Sequence, residues 1–457
     1  LSALDPAEQQ SALARIRTEE GAQPFDLTVA PLMRATLVVL SPTRHVLSYV
    51  IHHIVADGWS IRVWLQQAAR IYNAALHGAD APLLPLPVQY KDYSLWQNAL
   101  LDQGHLTGQE TYWLHRLSGE LPVLSLPTER PRPAVQTYRG AVAHHRLPRG
   151  LADALAQLGR ANDATPFMVL LSGLAALFQR ITRQDDIIIG SPIAGRTARE
   201  LDDLVGFFVN ALALRLDLSG DPDVGELLHR ARRVATDAYA NQDFPFDRLV
   251  ELLNPVRDLA RSPIFSVMLV FQSARVESSV AEAFDGLRIQ PLPNEWFTAK
   301  FDLQFFVKDA DDGLHIALEY NTDLWGPASV QRMLEQWQQV LTAMVAQPQT
   351  ALSELPMLAT EHRRQILQDW NAVPAVAPES DCLHTLVEIG ARRAPDAAAV
   401  VDGQRVVDHR SLHRAANALA HTLVAMGVGP ETMVGVYAHR SAELIAALLG
   451  VLKAGGA

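Results

Sequence analysis

The segment Arg44–Ser60, RHVLSYVIHHIVADGWS, is the most informative part of the chain. Residues Arg44–His53 are typical of a strand that pairs with Leu32–Leu40 across a short turn. A second turn with the sequence Ala-Asp-Gly follows, and apolar side chains then recur at helical spacing over Ile61–Leu76. The order strand, turn, helix predicts an α/β unit with two adjacent histidines where the strand ends.

Strands and helices are predicted to alternate along the rest of the chain as well. The predicted strands are Ala141–Leu147, Asp186–Gly190, Phe207–Leu216, Ile264–Gln272, Phe301–Lys308, Leu314–Tyr320, Ala397–Val401 and Met433–Tyr437. The predicted helices are Gly150–Asn162, Pro166–Ile181, Asp223–Asn241, Pro327–Ala346, Leu383–Arg392, Leu412–Met426 and Ser441–Lys453. An extended Pro-rich connector, Pro122–Pro133, separates two halves, and a composition shift at Gln347–Asp381 precedes a new pattern. This alternation favours an α/β class with two lobes and a separate domain after them.

Composition excludes several classes of function. The 457 residues are 49% hydrophobic and 19% charged, which is typical of a globular protein. A net charge of −11 argues against bulk nucleic-acid binding. The charge-free run Ala164–Gln179 is shorter than the roughly 20 residues of a membrane span and predicts a buried helix. The single cysteine, Cys382, and the absence of a basic leader favour a cytoplasmic protein, and the two ends are expected to be cuts in a longer polypeptide.

His52 and His53 are the residues of the first segment that carry chemistry. Because side chains alternate across a strand, the two imidazoles are expected to point to opposite faces, so that only one can face a reaction site. Spacing leaves three interpretations open: structural histidines, a catalytic histidine, or a zinc site that lacks an obvious third ligand. In the structural interpretation, Asp57 caps the following helix and Gly58 supplies an unusual backbone angle.

The segment HHIVADG resembles the HHxxxDG motif of the condensation domains of non-ribosomal peptide synthetases. Four further blocks follow in the family's order: Tyr90–Trp96 (YKDYSLW), Val205–Arg215 (VGFFVNALALR), Asn241–Asp247 (NQDFPFD) and Arg257–Ile264 (RDLARSPI). Ala211, Ala260 and Ser262 depart from the family's usual residues. The resemblance covers about Leu32–Ala346, and the residues after His53 are most similar to the subtype that joins two L-configured residues.

The resemblance implies a two-lobed chloramphenicol-acetyltransferase-like fold, a V-shaped pseudo-dimer of α/β lobes. Residues 1–121 are then a partial N-lobe, because the family's two earliest blocks are missing, residues 122–346 are the C-lobe, and residues 347–381 are a linker. Residues 382–457 resemble the start of an adenylation domain: Leu452–Ala457 matches its LKAGxAYVP block, whereas Val407–Leu412 matches poorly. The activating machinery of that family lies beyond Ala457, so amino-acid activation is not expected.

The resemblance also implies a reaction and its partners. A donor acyl or peptidyl thioester and an acceptor aminoacyl thioester, each on the phosphopantetheine arm of a carrier domain, meet in a tunnel between the lobes. The acceptor amine attacks the donor carbonyl beside the motif's second histidine, here His53, which serves as general base or as positioning group. No directly bound cofactor or metal is expected. The expected partners are upstream donor and downstream acceptor peptidyl carrier domains and an adenylation domain in cis, with neither nucleic acid nor membrane.

Supporting residues follow from the same resemblance. The expected support for His53 comes from His52, Asp57 and Gly58. In the family the motif aspartate pairs with an arginine, and the best match here is Arg196. The alternative is that Arg196 lies in solvent. Asn210 is a candidate tunnel residue, or else a hydrogen-bonded asparagine at a strand end, and Trp59 is a candidate tunnel or packing residue. Two other functions remain open: a free-standing CoA-dependent acyltransferase, and a non-catalytic platform that recruits carrier domains.

Overall fold

Residues 1–80, 83, 85–255, 258–273, 283–292, 298–372 and 382–457 are described by the computed structural model of the chain. They fall into two units, Leu1–Arg363 and Arg364–Ala457, each with hydrophobic clusters of its own. Part of the predicted block Arg257–Ile264 and the end of the predicted 347–381 linker lie outside the described residues. The predicted boundary at 121/122 stays a prediction, and Trp113 and Leu117 belong to the same core cluster as the residues that follow it.

The first unit alternates helices and strands. Its helices are α1 Pro6–Ala22, α2 Gly58–Leu76, α3 Tyr90–Asp102, α4 Thr107–Arg116, α5 Arg149–Ala161, α6 Pro166–Thr182, α7 Val224–Ala240, α8 Phe246–Leu253 and α9 Pro327–Ala346. Its strands are β1 Met33–Ser41, β2 Arg44–Ile51, β3 Gly140–Pro148, β4 Asp186–Ile193, β5 Asn210–Asp217, β6 Val267–Ser273, β7 Leu303–Ala310 and β8 Gly313–Asn321. The chain then continues through α10 Thr360–Arg364 and a π-helical turn, Gln365–Asp369.

A hairpin of β1 and β2 precedes the histidine pair. The two strands are antiparallel, with Leu37 opposite Leu47. Helix α1 buries no residue and is held to the hairpin by polar contacts instead: Glu20 accepts a hydrogen bond from the Ser48 hydroxyl at 2.7 Å, and Arg34 donates to the Gln23 carbonyl at 2.6 Å. The hairpin therefore presents the histidine turn from a small support rather than from a large sheet.

The largest core surrounds a six-stranded sheet with the order β3-β8-β7-β6-β4-β5. Strand β6 runs parallel to β4 and β7, and the other neighbours are antiparallel. Helix α6 is buried throughout Phe167–Phe178, as the charge-free run predicts. Its start is fixed by the Thr165 hydroxyl, which accepts from the Met168 amide, and by Pro166 in the first turn. Buried Trp337 of α9 contacts Phe305 of the sheet edge to face, with ring centroids 5.2 Å apart.

Several predicted strands differ from the structure in their bounds, and β6, for example, begins at Val267 instead of Ile264. Strand β2 ends at Ile51, two residues before His53, and β5 begins at Asn210 instead of Phe207. Met433–Tyr437 is not assigned as a strand. A strand needs a neighbour to complete its ladder, and in this segment the Val434 amide donates only to the carbonyl of Ala457, at 2.8 Å.

The second unit is a small α/β assembly. Its elements are α11 Leu383–Arg393, β9 Ala398–Asp402, β10 Arg405–Asp408, α12 His409–Ala425 and α13 Ala442–Lys453. Strands β9 and β10 form an antiparallel hairpin, of which sequence periodicity predicts only the first strand. The Lys453 ammonium lies 2.5 Å from Glu388, 2.9 Å from the His413 imidazole and 2.8 Å from Asn417, and ties α13 to α11 and α12.

Within the described ranges, no single helix is both long and apolar enough to cross a membrane. The bent pair formed by α5 and α6 meets the requirement only when the two helices are combined.

Candidate functional site

Helix α2 begins at Gly58 because Asp57 caps it. Asp57 has an extended backbone, and its Oδ1 accepts a hydrogen bond from the Ser60 amide at 2.7 Å. Its Oδ2 accepts from the Phe208 amide at 3.0 Å. The residue is only 2% exposed. One buried carboxyl group therefore joins the start of α2 to a segment 151 residues further along the chain.

Arg196 lies beside this carboxyl group. Its Nη2 is 3.5 Å from Asp57 Oδ1 and donates to the Ser60 hydroxyl at 2.9 Å, while Nη1 donates to the Leu201 carbonyl. The side chains of Arg196 and Asp57 are 1% and 0% exposed, so the structure places this arginine in the interior and not in solvent. Burial lowers the pKa of Arg196 and the nearby Asp57 acts in the opposite direction. A guanidinium stays protonated in proteins, so the positive charge faces the Asp57 carboxyl group.

Residues Val205–Phe208, called here the 205–208 segment, are held by side chains instead of a strand ladder. The Ser60 hydroxyl donates to the Gly206 carbonyl at 2.7 Å and accepts from the Gly206 amide at 3.0 Å. The Tyr90 hydroxyl donates to the Phe207 carbonyl at 2.7 Å, and burial raises the pKa of Tyr90, which keeps this donor neutral. These bonds replace strand pairing, which is why β5 begins only at Asn210.

The two histidines lie in the turn after β2 and face different neighbours. His52 accepts a hydrogen bond on Nδ1 from the Ile54 amide at 3.1 Å, and its ring meets Phe25 edge to face at 6.0 Å between centroids. His53 is exposed, and its imidazole lies perpendicular to the Phe207 ring, 5.1 Å between centroids. The turn, not strand alternation, sets these directions. The expectation that both histidines belong to the strand is wrong because β2 ends at Ile51.

Two family models match the chain. The family model described as "Condensation domain" matches residues 1–367, and the model described as "AMP-binding enzyme" matches residues 387–457. The chain belongs to the condensation-domain family. The beginning of an AMP-binding domain follows the condensation domain in the same chain.

Related synthetases match this condensation domain along nearly its whole chain. Tyrocidine synthase 3 of Brevibacillus parabrevis is 38% identical over 451 residues, covering 99% of this chain and 7% of the relative. Chondramide synthase cmdD of Chondromyces crocatus is 40% identical over 460 residues, covering 100% of this chain and 12% of the relative. The chain thus spans only a small fraction of the length of these relatives.

Solved structures agree with the family assignment. The X-domain from teicoplanin biosynthesis aligns with a TM-score of 0.69 at 29% identity, covering 76% of this chain and 79% of that one. A four-domain nonribosomal peptide synthetase bound to AMP and glycine aligns with a TM-score of 0.76 at 24% identity, covering 98% of this chain and 34% of that one. The condensation domain therefore has the chloramphenicol-acetyltransferase-like α/β fold that the sequence predicts.

The other predicted site residues of the condensation domain have local partners. The Trp59 indole donates to the Asp202 carbonyl at 2.9 Å, and the Arg62 guanidinium lies 3.9 Å from the centre of its ring. The Asn210 amide donates to the carbonyls of Gln242 and Phe244 at 2.9 and 2.8 Å. The Asn210 side-chain oxygen accepts from two backbone amides, so every polar atom of that side chain is engaged.

The backbone conformation of Gly58 differs from the prediction. It is the first residue of α2 and does not have a positive φ, so the unusual backbone angle predicted for it is wrong. A Cβ added at Gly58 would meet no atom within 4 Å. The residue borders open space next to the histidine turn.

Sequence reasoning gave no role in the site to three residues that build it: Ser60, Tyr90 and Phe207. All three lie in or beside the family's motifs, but nothing in their spacing links Ser60 to Gly206, which lies 146 residues away. Gly206 is a position whose residue type could have indicated a close contact, because a Cβ there would lie 2.2 Å from Cδ2 of the Tyr90 ring. A glycine between two bulky residues marks a close approach of another chain segment.

The described residues contain no group of three or more His, Cys, Asp or Glu side chains arranged to hold a metal ion. His52 directs Nδ1 to the Ile54 amide, and Asp57 uses both oxygens on backbone amides. The site as built offers a hydrogen-bonding imidazole at the surface of a rigid, buried support.

Proposed function

We propose that the condensation domain forms an amide bond between two carrier-bound substrates. The amine nitrogen of the acceptor attacks the thioester carbonyl carbon of the donor, and the carbon–sulfur bond breaks. The donor's phosphopantetheine thiol leaves, and the proton lost by the amine ends on sulfur. Membership of the condensation-domain family over residues 1–367 and the likeness to peptide synthetases support this proposal.

The observation that carries the proposal is the contrast between His53 and its support. His53 is exposed, whereas Asp57, Ser60 and Arg196 are buried and connected by hydrogen bonds. A group that reacts with a substrate must be reachable and must also be held in place. In the proposed mechanism, His53 accepts a hydrogen bond from the acceptor amine and holds it against the donor carbonyl. A thioester is already activated, so orientation contributes more than early proton removal.

The proposal extends to substrates and partners. Donor and acceptor are both L-configured, as the residues after His53 suggest, and they arrive on upstream and downstream carrier domains in the cytoplasm. The match to an AMP-binding enzyme over residues 387–457 disfavours a free-standing CoA-dependent acyltransferase. The exposed imidazole on a buried support disfavours a platform that only recruits carriers.

Intact-protein mass spectrometry of loaded carriers tests the proposal. The longest natural polypeptide that contains this chain is incubated with a donor carrier and an acceptor carrier, and the mass of each carrier is followed with time. Wild type is compared with His53→Ala and with His45→Ala, which removes an exposed histidine from the preceding strand β2. Loss of general acid–base or orienting function typically costs about 10²–10⁴ in rate, so His53→Ala is expected to fall by at least about a hundredfold while His45→Ala transfers normally.

Each outcome has a distinct meaning. Transfer of donor mass to the acceptor in wild type, lost in His53→Ala, supports both the reaction and the role of His53. Equal rates in wild type and His53→Ala refute the role of His53 but not the reaction. Carrier binding without transfer across several L-configured pairs refutes the reaction and favours the recruiting platform.

A further inference from the structure

Phe207 is the residue in ring contact with the exposed imidazole of His53. The centroids are 5.1 Å apart and the ring planes are perpendicular, which is a favourable geometry for aromatic pairs. Phe207 is 39% exposed, whereas its neighbour Phe208 is 3% exposed. Phe207 belongs to neither of the two core clusters found among the described residues of the first unit.

The backbone that carries Phe207 is fixed on both sides. Ser60 bonds both polar atoms of Gly206, Tyr90 bonds the carbonyl of Phe207, and Asp57 bonds the amide of Phe208. Asp57 and Ser60 also form the helix start that follows the histidine turn. The same hydrogen-bonded set of residues, called here the frame (Asp57, Ser60, Tyr90 and Gly206), therefore fixes the backbone beside both the Phe207 ring and the His53 imidazole.

The Tyr90 ring gives this frame its rigidity. It lies so close to Gly206 that an added Cβ would be 2.2 Å from its Cδ2 atom. The same ring meets Phe208 edge to face at 5.2 Å between centroids, and Phe208 stacks beneath the Arg196 guanidinium at 4.0 Å. The 205–208 segment therefore cannot shift without breaking the buried contacts of Arg196.

We propose that Phe207 is a positioning residue that holds the His53 imidazole in its reactive orientation. This rests on the proposed function, because the orientation matters only if His53 acts on the acceptor amine. The ring supplies no proton and accepts none. It removes rotational freedom from an imidazole that has no other ring neighbour among the described residues than Phe207, so its loss should lower turnover and leave substrate binding nearly unchanged.

Three variants separate positioning from folding. Phe207→Leu removes the ring but keeps an apolar side chain, Phe207→Tyr keeps the ring, and Val205→Ala trims another exposed apolar residue of the same segment as a matched control. An aromatic pair of this kind is typically worth about two- to tenfold in an equilibrium. We expect kcat to fall about two- to tenfold in Phe207→Leu with KM unchanged, to recover in Phe207→Tyr, and to stay at the wild-type value in Val205→Ala.

NMR of the imidazole provides a readout that does not need activity. The carbon-bound protons of the His53 ring should show a ring-current displacement that disappears in Phe207→Leu, persists in Phe207→Tyr and persists in Val205→Ala. If wild type transfers nothing, the proposed function fails. The NMR shifts still test whether the Phe207 ring contacts the His53 imidazole. Unchanged His53 shifts in Phe207→Leu, or an unchanged kcat in that variant of an active protein, would overturn the inference.

Discussion

Replacing Asp57 by alanine should open the site locally, and the structure indicates by how much. The variant loses the cap of α2, worth about 1 kcal/mol. It leaves the Phe208 amide without an acceptor, which costs about 1–3 kcal/mol, and it removes the carboxyl group that faces the buried Arg196 guanidinium. Breaking a buried ion pair by removing one partner costs about 3–5 kcal/mol. These three contributions come from one carboxyl group and overlap, so we expect a local loss of about 3–5 kcal/mol.

Hydrogen exchange measures this loss directly. The amides of Gly206 and Ile61 keep their acceptors in Asp57→Ala, the Ser60 hydroxyl and the carbonyl of residue 57, so their exchange reports local opening of the site. A loss of about 3 kcal/mol corresponds to exchange roughly a hundredfold faster in Asp57→Ala. Arg196→Met breaks the same ion pair, but Asp57 keeps both amide donors, so its effect should be smaller than that of Asp57→Ala. Exposed Glu251→Ala serves as the control.

The reasoning is refuted by either of two results. Exchange at Gly206 and Ile61 in Asp57→Ala that stays within threefold of wild type would mean that the carboxyl group does not hold the segment. A larger effect in Arg196→Met than in Asp57→Ala would mean that the arginine, which also bonds Ser60 and Leu201, is the principal link.

Two further predictions concern other contacts. Gly206→Ala should lower the free energy of unfolding by about 1–3 kcal/mol, because its Cβ would collide with Tyr90, whereas Gly58→Ala should leave the urea midpoint within error of wild type. In the second unit, burial and, to a lesser degree, Lys453 lower the pKa of His413. The unfolded imidazole binds a proton below about pH 6.5 and the folded one resists it. Thermal stability should therefore fall as the pH drops from 7.5 to 5.5, and a His413→Gln variant that retains this fall would contradict the assignment.

Elements with strong local signals were predictable from the sequence. Helix α9 was predicted with the bounds it has, because Pro327 suits a first helical turn and the apolar period continues to Ala346. Helix α6 followed from the charge-free run Ala164–Gln179, and the structure adds the Thr165 cap at its start. The motif located the start of α2, which Asp57 and Gly58 mark, although both histidines were placed in the preceding strand.

Features that depend on distant partners were not predictable. Phe207 and Phe208 are residue types that favour strands. Their backbone groups bond to side chains instead, the Phe207 carbonyl to Tyr90 and the Phe208 amide to Asp57, and no local sequence pattern indicates these bonds. Met433–Tyr437 is also typical of a strand, and only the availability of a neighbour decides whether it pairs. The directions of His52 and His53 follow from a turn geometry that a two-residue period does not describe.

The hydrogen bonds of this site limit where two related condensation domains can be recombined. Hydrogen bonds of this site join residues 57–60 and 90 to residues 196–208, and they cross the stretch of chain in which a recombination point between two halves would naturally be chosen. A chimera cut between residues 121 and 122 inherits the histidine turn from one parent and the frame that fixes it from the other. Hybrid enzymes built with such a crossover need Ser60, Tyr90, Arg196 and Gly206 matched as a set, whichever parent supplies the specificity.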